Sequence, residues 1–161
     1  LEVYYIKSMI KLSKMTDYAV VCLGTLARRP GSSMSATELS KETGLALYTV
    51  QKLLKLLVSK SDFIKANRGA LGGYMLNRNS SEISVVEIIE ALDGPITLTS
   101  CVNKSESFCE ASDICFLGGK WNKINEIIRK SLNDISLKEL LSYETPFLLD
   151  NNKDALIDRI N

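Results

Sequence analysis

Three of the four cysteines in this chain lie close together in one polar stretch, where their thiolates could bind a metal. Cys101, Cys109 and Cys115 follow the spacing C-x7-C-x5-C. The chain shows no signal peptide and no apolar run long enough to cross a membrane, so we expect a cytoplasmic protein with reduced thiols. Metal binding is therefore favoured over a disulfide. Cys22 differs, because it lies on the apolar face of a predicted helix and is expected to be a core residue.

Composition limits the other ligands of such a site, since none of the 161 residues is a histidine. This excludes histidine ligands, Ser-His-Asp chemistry and histidine-dependent acid–base catalysis. Three thiolates and a carboxylate could hold a structural zinc, although the short C-x2-4-C pair common in zinc sites is absent. They also suit an iron–sulfur cluster, 2Fe-2S or 4Fe-4S, whose last ligand need not be cysteine. Oxygen donors are available at Glu106, Glu110, Asp113 and Asp17, the last from a second subunit.

A second group of residues, in the first half of the chain, could bind nucleic acid. Ser35 and Glu38 form a capping-box pattern that predicts a short helix from about 36 to 43, and Gly44 ends it. The helix predicted next has an apolar stripe at Leu47, Val50, Leu53, Leu54 and Leu57. Its opposite face carries side chains that can bond to bases and phosphates: Tyr48, Thr49, Gln51, Lys52 and Lys55. This arrangement is typical of a helix-turn-helix, whose second helix enters the major groove of DNA.

A β-hairpin is predicted directly after these helices. Residues 63–67 and 74–76 have strand patterns, and the glycine-rich residues 68–73 form the turn between them. No helix follows the glycines and no phosphate-binding motif surrounds them, so they do not indicate a nucleotide loop. They would instead let the hairpin tip approach DNA, with Arg68 at its base. Residues 9–78 hold eleven Lys or Arg against four Asp or Glu, a net charge of +7, which favours an anionic partner for this half.

Further helices must position these two groups. Thr16 is the predicted N-cap of a first helix, whose pattern stops at Pro30. Ser84 and Glu87 form another capping box, and the helix that they begin ends at residues 93–95. Two helices thus flank the helix-turn-helix and hairpin, one on each side in sequence.

The second half of the chain contains the cysteine loop and a late helix. Residues 96–119 show no sustained periodicity, and a loop of this length is typical of a functional segment. The helix that follows reaches about residue 133, and Ser136 with Glu139 caps a last turn through Leu141. Its apolar stripe consists of Trp121, Ile124, Ile128 and Leu132, with Ile127 beside them. A single stripe on a late helix needs a partner, so these residues are predicted to form a dimerisation surface.

The predicted fold is therefore mainly α with a small β-hairpin wing. Residues 9–80 form a winged helix-turn-helix DNA-binding domain. Residues 81–141 supply a helix, the cysteine loop and a long C-terminal dimerisation helix, and residues 142–161 form a tail.

Several segments combine into one recognisable pattern: residues 12–19, 49–55, 68–69 with 72–74, and the three loop cysteines. Together they resemble the IscR/NsrR-like, Rrf-type family of winged-helix transcription regulators over about residues 9–141. Within that family, residues 95–101, the Trp121 segment and residues 136–141 resemble regulators of the Suf iron–sulfur assembly operons.

The resemblance implies a homodimer whose long C-terminal helices cross and whose two helix-turn-helix units bind two half-sites of double-stranded DNA. Gln51 would face the base edges, and Arg68 with Gly69 of the wing would enter the minor groove. The residues implied around Gln51 are Ala46, Tyr48, Thr49 and Lys52. Phosphate contacts are expected mainly from Lys14, Lys52, Lys55 and Lys65.

The resemblance also assigns the metal ligands. Cys101, Cys109 and Cys115 would hold an iron–sulfur cluster near the dimer interface. IscR-type members place a histidine three residues after the last cysteine, where this chain has Gly118, so that ligand set does not apply. NsrR-type members use an aspartate of the partner subunit near the start of the first helix, and Asp17 matches that position.

These observations predict a homodimeric transcription regulator controlled by its cluster and acting on iron–sulfur assembly or stress genes. The alternative is a winged-helix protein with a structural zinc and no cluster sensing. An enzyme is not expected, because histidine, a nucleotide loop and paired carboxylates in a recognisable motif are all missing. Neither a membrane nor a small-molecule substrate is predicted as a partner.

Overall fold

The fold is mainly helical with one two-stranded antiparallel hairpin, as the sequence predicts. The computed structural model describes residues 12–69, 72–99, 102 and 120–142. In chain order the elements are α1 (Lys14–Ala27), α2 (Ala36–Thr43), α3 (Leu47–Lys60), β1 (Ile64–Asn67), β2 (Gly73–Leu76), α4 (Val85–Asp93), α5 (Lys120–Asn133) and α6 (Leu137–Ser142). None of the helices in these ranges is long and apolar enough to cross a membrane.

One apolar core joins the first four helices, the hairpin and α6. The side chains that α1 and α2 contribute include Cys22, Leu23, Leu26 and Leu39, and Leu137 comes from α6. The predicted stripe of α3 is fully buried at Val50, Leu53, Leu54 and Leu57, each worth about 1.5–3 kcal/mol relative to an exposed side chain. Leu47 was predicted in this stripe but is 38% exposed. As the first residue of α3, it lies at the edge of the core.

Serine hydroxyls cap α1, α2, α4 and α6, and they fix where these helices begin. The capping boxes predicted at Ser35 with Glu38 and at Ser84 with Glu87 are both confirmed. Ser136 and Glu139 make the same reciprocal bonds ahead of α6, because each backbone N–H donates to the other residue's side chain. Each cap stabilises its helix by about 1 kcal/mol.

The predicted start of α1 is wrong. The N-cap is Ser13, whose hydroxyl accepts from the Thr16 N–H, and the helix begins at Lys14. Thr16 is buried inside the first turn, where its hydroxyl donates to Asp93 at the end of α4 over 2.9 Å. The Thr16 hydroxyl, which the local sequence pattern assigns to capping, is therefore used in a tertiary hydrogen bond to Asp93 instead.

The hairpin is attached to the helical core through the loop that precedes α2. β1 pairs with β2 from Ile64 opposite Leu76 to Asn67 opposite Gly73. Met34 adds a bridge to Tyr74, with backbone bonds of 2.9 and 2.8 Å in the two directions. A Cβ atom at Gly73 would lie 2.5 Å from the Met34 carbonyl oxygen, so this close approach requires glycine. The wing is thereby held beside the helix-turn-helix.

Candidate nucleic-acid interface and metal loop

The polar face of α3 points to solvent because the opposite face is packed into the core. Tyr48 is 74% exposed, and Gln51, Lys52 and Lys55 are exposed as well. Thr49 is half-buried, and Ala46 is exposed at the N-cap position of α3. The structure therefore exposes Tyr48, Gln51, Lys52 and Lys55 on the face of α3 away from the core, with Thr49 partly accessible and Ala46 at the helix start.

The wing and the start of α1 carry further exposed cations. Lys65 on β1, Arg68 and Gly69 at the turn, and Lys14 on α1 are all exposed. Gly69 has φ 112°, a conformation that favours glycine. Within the described part of the chain, the ion pairs involve Arg29, Arg78 and Arg129, so the predicted phosphate-binding cations are not neutralised by carboxylates there. Their charge remains available for phosphates.

The three loop cysteines lie outside the described residues. Of the predicted ligands, Asp17 is described, and its carboxylate is exposed in the first turn of α1. Residues 12–69, 72–99, 102 and 120–142 contain no cluster of three or more potential metal ligands of their own. Cys22 is confirmed as a core residue, and burial raises the pKa of its thiol to about 11, so it stays protonated and unreactive.

Asp93 links the start of α1 to the start of the cysteine loop. Its Oδ2 accepts from the Ser13 N–H over 3.1 Å and from the Thr16 hydroxyl over 2.9 Å. Burial works to raise the pKa of Asp93, but these hydrogen bonds outweigh it and hold the pKa below its ordinary value. The loop that carries the cysteines begins directly after Asp93. The two hydrogen bonds of Asp93 therefore join the start of that loop to the start of α1.

Replacing Asp93 with alanine should reduce stability by about 1–2 kcal/mol at pH 7, because the buried Thr16 hydroxyl loses its acceptor. A lowered folded-state pKa gives stability that is present above the unfolded pKa and is lost as pH falls through the folded value. The difference from the wild type should therefore shrink below about pH 4. Urea unfolding at pH 7 and pH 3 measures the difference in unfolding free energy between the variant and the wild type. Asp134→Ala, at an exposed aspartate, is the control. An equal difference at both pH values would contradict the role of the carboxylate charge.

The apolar stripe of α5 lies partly outside the core of its own chain. Ile124 is 44% exposed, Ile127 is 56% exposed and Trp121 is also exposed, whereas Ile128 and Leu132 are half-buried. The buried residue of α5 is instead Asn125. The exposed part of the predicted dimerisation surface is thus centred on Trp121, Ile124 and Ile127.

Sequence patterns missed two of the residues that organise this region, Asp93 and Asn125. Asp93 looked like part of a helix end, because Gly94 and Pro95 follow it. Asn125 lies four residues after Trp121 and three before Ile128, which is a core-facing position for a helix. A polar residue at such a position was the available signal.

A helix-turn-helix followed by a hairpin wing, with the second helix exposing a polar and cationic face, defines a winged-helix DNA-binding protein. Comparison with known proteins gives the family. The Rrf2 family model, described as an iron-dependent transcriptional regulator, matches residues 12–143. The chain belongs to this family, and it is a transcription regulator rather than an enzyme.

Its relatives agree with this assignment. The HTH-type transcriptional regulator IscR of Sodalis glossinidius (strain morsitans) is 31% identical over 136 residues, which cover 84% of this chain and 81% of that protein. IscR of Serratia proteamaculans (strain 568) is 30% identical over 155 residues, or 94% and 87% of the two chains.

Solved structures show the same fold. T. potens IscR superposes with a TM-score of 0.56 at 26% identity, covering 82% of this chain and 86% of that one. CymR (YrzC), the global cysteine regulator of B. subtilis, gives a TM-score of 0.63 at 24% identity, with 84% and 99% coverage.

Proposed function

We propose that this protein is a homodimeric transcription regulator whose affinity for DNA is controlled by an iron–sulfur cluster bound to its cysteine loop. The observation that carries the DNA-binding part is the exposed polar face of α3 beside an exposed cationic wing. Both are held by a buried core that fixes their relative position. The names of the relatives and the iron-dependent family description support the sensing part. The resemblance of residues 95–101, the Trp121 segment and residues 136–141 to regulators of the Suf operons suggests iron–sulfur assembly or stress genes as targets.

The exposed residues divide into two roles by chemistry. Gln51 carries an amide that can bond to adenine in bidentate fashion, and Thr49 offers a hydroxyl, so these two are proposed to face base edges. Ala46 and Tyr48 lie beside them at the helix start and provide apolar contact. Lys14, Lys52, Lys55 and Lys65 are proposed to contact phosphates, which sets affinity but not sequence preference. Arg68 and Gly69 are proposed to follow the minor groove.

A homodimer is proposed through α5. The exposed side chains Trp121, Ile124 and Ile127 form an apolar surface on one helix, and a second copy of that helix would cover it. Ile128 and Leu132 continue the surface toward the core of their own chain. A two-fold dimer would present two α3 helices to two half-sites, about one turn of DNA apart.

The donor set of the chain fits an iron–sulfur cluster. Cys101, Cys109 and Cys115 supply three thiolates, and Asp17 supplies a carboxylate, in a chain without histidine. Asp17 is exposed in the first turn of α1, so its carboxylate is free to reach a loop of the partner subunit. When bound, the cluster would supply a group whose presence and charge respond to oxidants and to iron supply.

Control of DNA binding would follow from where Asp17 lies. A ligand bond from Asp17 to the partner's loop would fix α1 of one subunit against the other subunit. Because α1 packs against α2 and α3, this would favour one relative orientation of the two α3 helices. Loss of the bond would release that orientation and lower the affinity for two properly spaced half-sites.

The experiment that tests this function is metal analysis of protein purified without oxygen. Broad visible absorption with matched iron and sulfide is expected, together with DNA binding that changes when the cluster is removed. The three thiolates also satisfy zinc, so stoichiometric zinc without a visible chromophore would favour the structural-zinc alternative. That outcome would leave the DNA-binding role standing and remove the sensing role.

Replacing Lys55 with alanine should weaken binding to every DNA sequence by a similar factor. Lys55 is exposed on α3 and is assigned to a phosphate, so its loss should reduce the slope of log K against log salt by about one unit. Fluorescence anisotropy at several salt concentrations measures this. Lys60→Ala, at the far end of the same helix, is the matched control. An unchanged slope would show that Lys55 does not contact phosphate.

A further inference from the structure

A side chain of α5 holds the backbone that leads into the cysteine loop. The Asn125 side chain donates from Nδ2 to the Ile96 carbonyl over 2.8 Å and accepts at Oδ1 from the Leu98 N–H over 3.0 Å. Residues 96–98 are therefore fastened to α5 by two hydrogen bonds. Glu90 of α4 lies beside them, and its pKa is lowered by Arg129 and, to a smaller extent, by the Ile96 N–H.

The same two helices are joined directly. Arg129, one turn after Asn125, donates from Nε and one terminal nitrogen to the two oxygens of Glu90, over 2.8 and 2.9 Å. Such a two-bond pair fixes the orientation of both side chains. α5 thus bonds to Glu90 of α4 through Arg129 and to residues 96–98 through Asn125, so its two side chains connect the three elements.

Burial makes the Asn125 contacts specific. The residue is 2% exposed, so its amide cannot exchange these partners for bulk water. Both of its polar atoms are used by backbone groups of residues 96–98, which leaves one arrangement of that backbone in which the amide is satisfied. An apolar side chain at this position would pack equally well but would not select that arrangement.

This network lies next to the first cysteine. Cys101 is three residues after Leu98 and directly precedes Val102, which is buried and donates from its N–H to the Thr99 carbonyl over 3.1 Å. Successive Cα atoms are about 3.8 Å apart, so two fastened points this close in sequence restrict the volume open to the residue between them.

We propose that Asn125 is a positioning residue for the cysteine loop: by fastening residues 96–98 to the dimerisation helix, it sets where Cys101 is presented to the metal. The first half of this inference, the fastening, stands on the contacts above. The second half rests on the proposed function. Because α5 also carries the proposed dimer surface, Asn125 connects the loop of each subunit to the subunit interface.

The test uses the full chain with Asn125→Ala, and Asn133→Ala, an exposed residue of the same type on the same helix, is the control. The first measurement is amide hydrogen exchange in metal-free protein. Exchange at Leu98 should become faster by about fivefold or more in Asn125→Ala, since one hydrogen bond is lost, and should not change in Asn133→Ala.

The second measurement is cluster retention in anaerobically reconstituted protein. Partners that orient metal ligands typically change metal affinity by about 10–100-fold, so the rate of iron loss to a chelator should rise by about tenfold or more in Asn125→Ala. The visible and electron paramagnetic resonance spectra should shift, which a purely structural role would not cause. Asn125→Leu keeps a similar side-chain volume but removes both hydrogen bonds, so a defect in this variant cannot come from a cavity.

Each outcome tests either the fastening of residues 96–98 or the positioning of Cys101. Unchanged Leu98 exchange in Asn125→Ala overturns the fastening, whether or not a cluster is present. Faster exchange with unchanged spectra and iron loss overturns the positioning of Cys101. A cluster defect in Asn125→Ala that is absent from Asn125→Leu assigns the effect to a cavity and overturns the hydrogen-bond argument. If the wild-type protein takes up no cluster, the proposed sensing function fails and, with it, the positioning of a cluster ligand, while the exchange result still decides the fastening.

Discussion

Replacing Ile124 with glutamate is expected to convert the protein into a monomer and to lower its affinity for a two-half-site operator by at least about a hundredfold. Ile124 lies between Trp121 and Ile127 on the exposed apolar surface of α5 and is 44% exposed. A symmetric interface would bury two copies of the new carboxylate, and an unpaired buried charge costs several kcal/mol. The monomer would keep its fold, because this side chain is not part of the core.

Loss of the dimer removes the second half-site contact, which otherwise forms as an intramolecular event. Sedimentation equilibrium and anisotropy with one-site and two-site DNA measure both effects. Asn133→Glu adds the same charge near the end of the same helix and should leave the dimer intact. A dimer that persists in Ile124→Glu would place the subunit interface elsewhere, and an unchanged helical content by circular dichroism would confirm that the variant is folded.

Local patterns predicted the parts of this fold that local interactions determine. The three capping boxes and the α3 stripe depend on residues within a few positions of one another, and the structure contains all three boxes and the stripe from Val50 to Leu57. The N-cap of α1 was predicted wrongly for the converse reason. Ser13 and Thr16 both carry a hydroxyl that could cap, and the choice is settled by Asp93, which is 77 residues from Thr16 in sequence.

The candidate DNA surface was predictable in the same way, because the buried face of α3 dictates which residues are exposed. The side-chain contacts that hold the start of the cysteine loop could not be predicted from the sequence. Asn125 bonds to the backbone of Ile96 and Leu98. Because almost every residue has the same backbone groups, the residue types do not indicate which of them a side chain will bond. Cysteine spacing gives the identity of ligands but not the direction from which they approach. For Asp17, the sequence likewise gives a carboxylate but not the subunit whose cysteines it would meet.

A mixture of two inactive variants should regain the cluster if Asp17 and the cysteines of one site come from different subunits. Cys101→Ser removes a thiolate ligand, and Asp17→Ala removes the proposed carboxylate ligand, so each homodimer should lose the cluster. In a mixed dimer, one site combines the intact loop of the Asp17→Ala subunit with Asp17 of the Cys101→Ser subunit. The other site lacks both ligands. One complete site per mixed dimer is therefore expected.

Random mixing makes half of the dimers mixed, and each holds one site of two, so the refolded mixture should reach about one quarter of the wild-type cluster content. Visible absorption with iron and sulfide analysis measures this against the two pure variants. If Asp17 served its own subunit, every site in the mixture would lack a ligand and no recovery would occur. If Asp17→Ala alone kept the wild-type spectrum and cluster lifetime, Asp17 would not be a ligand. Recovery would instead establish that cluster binding requires both subunits, so that the metal and the relative orientation of the two α3 helices are linked through one bond.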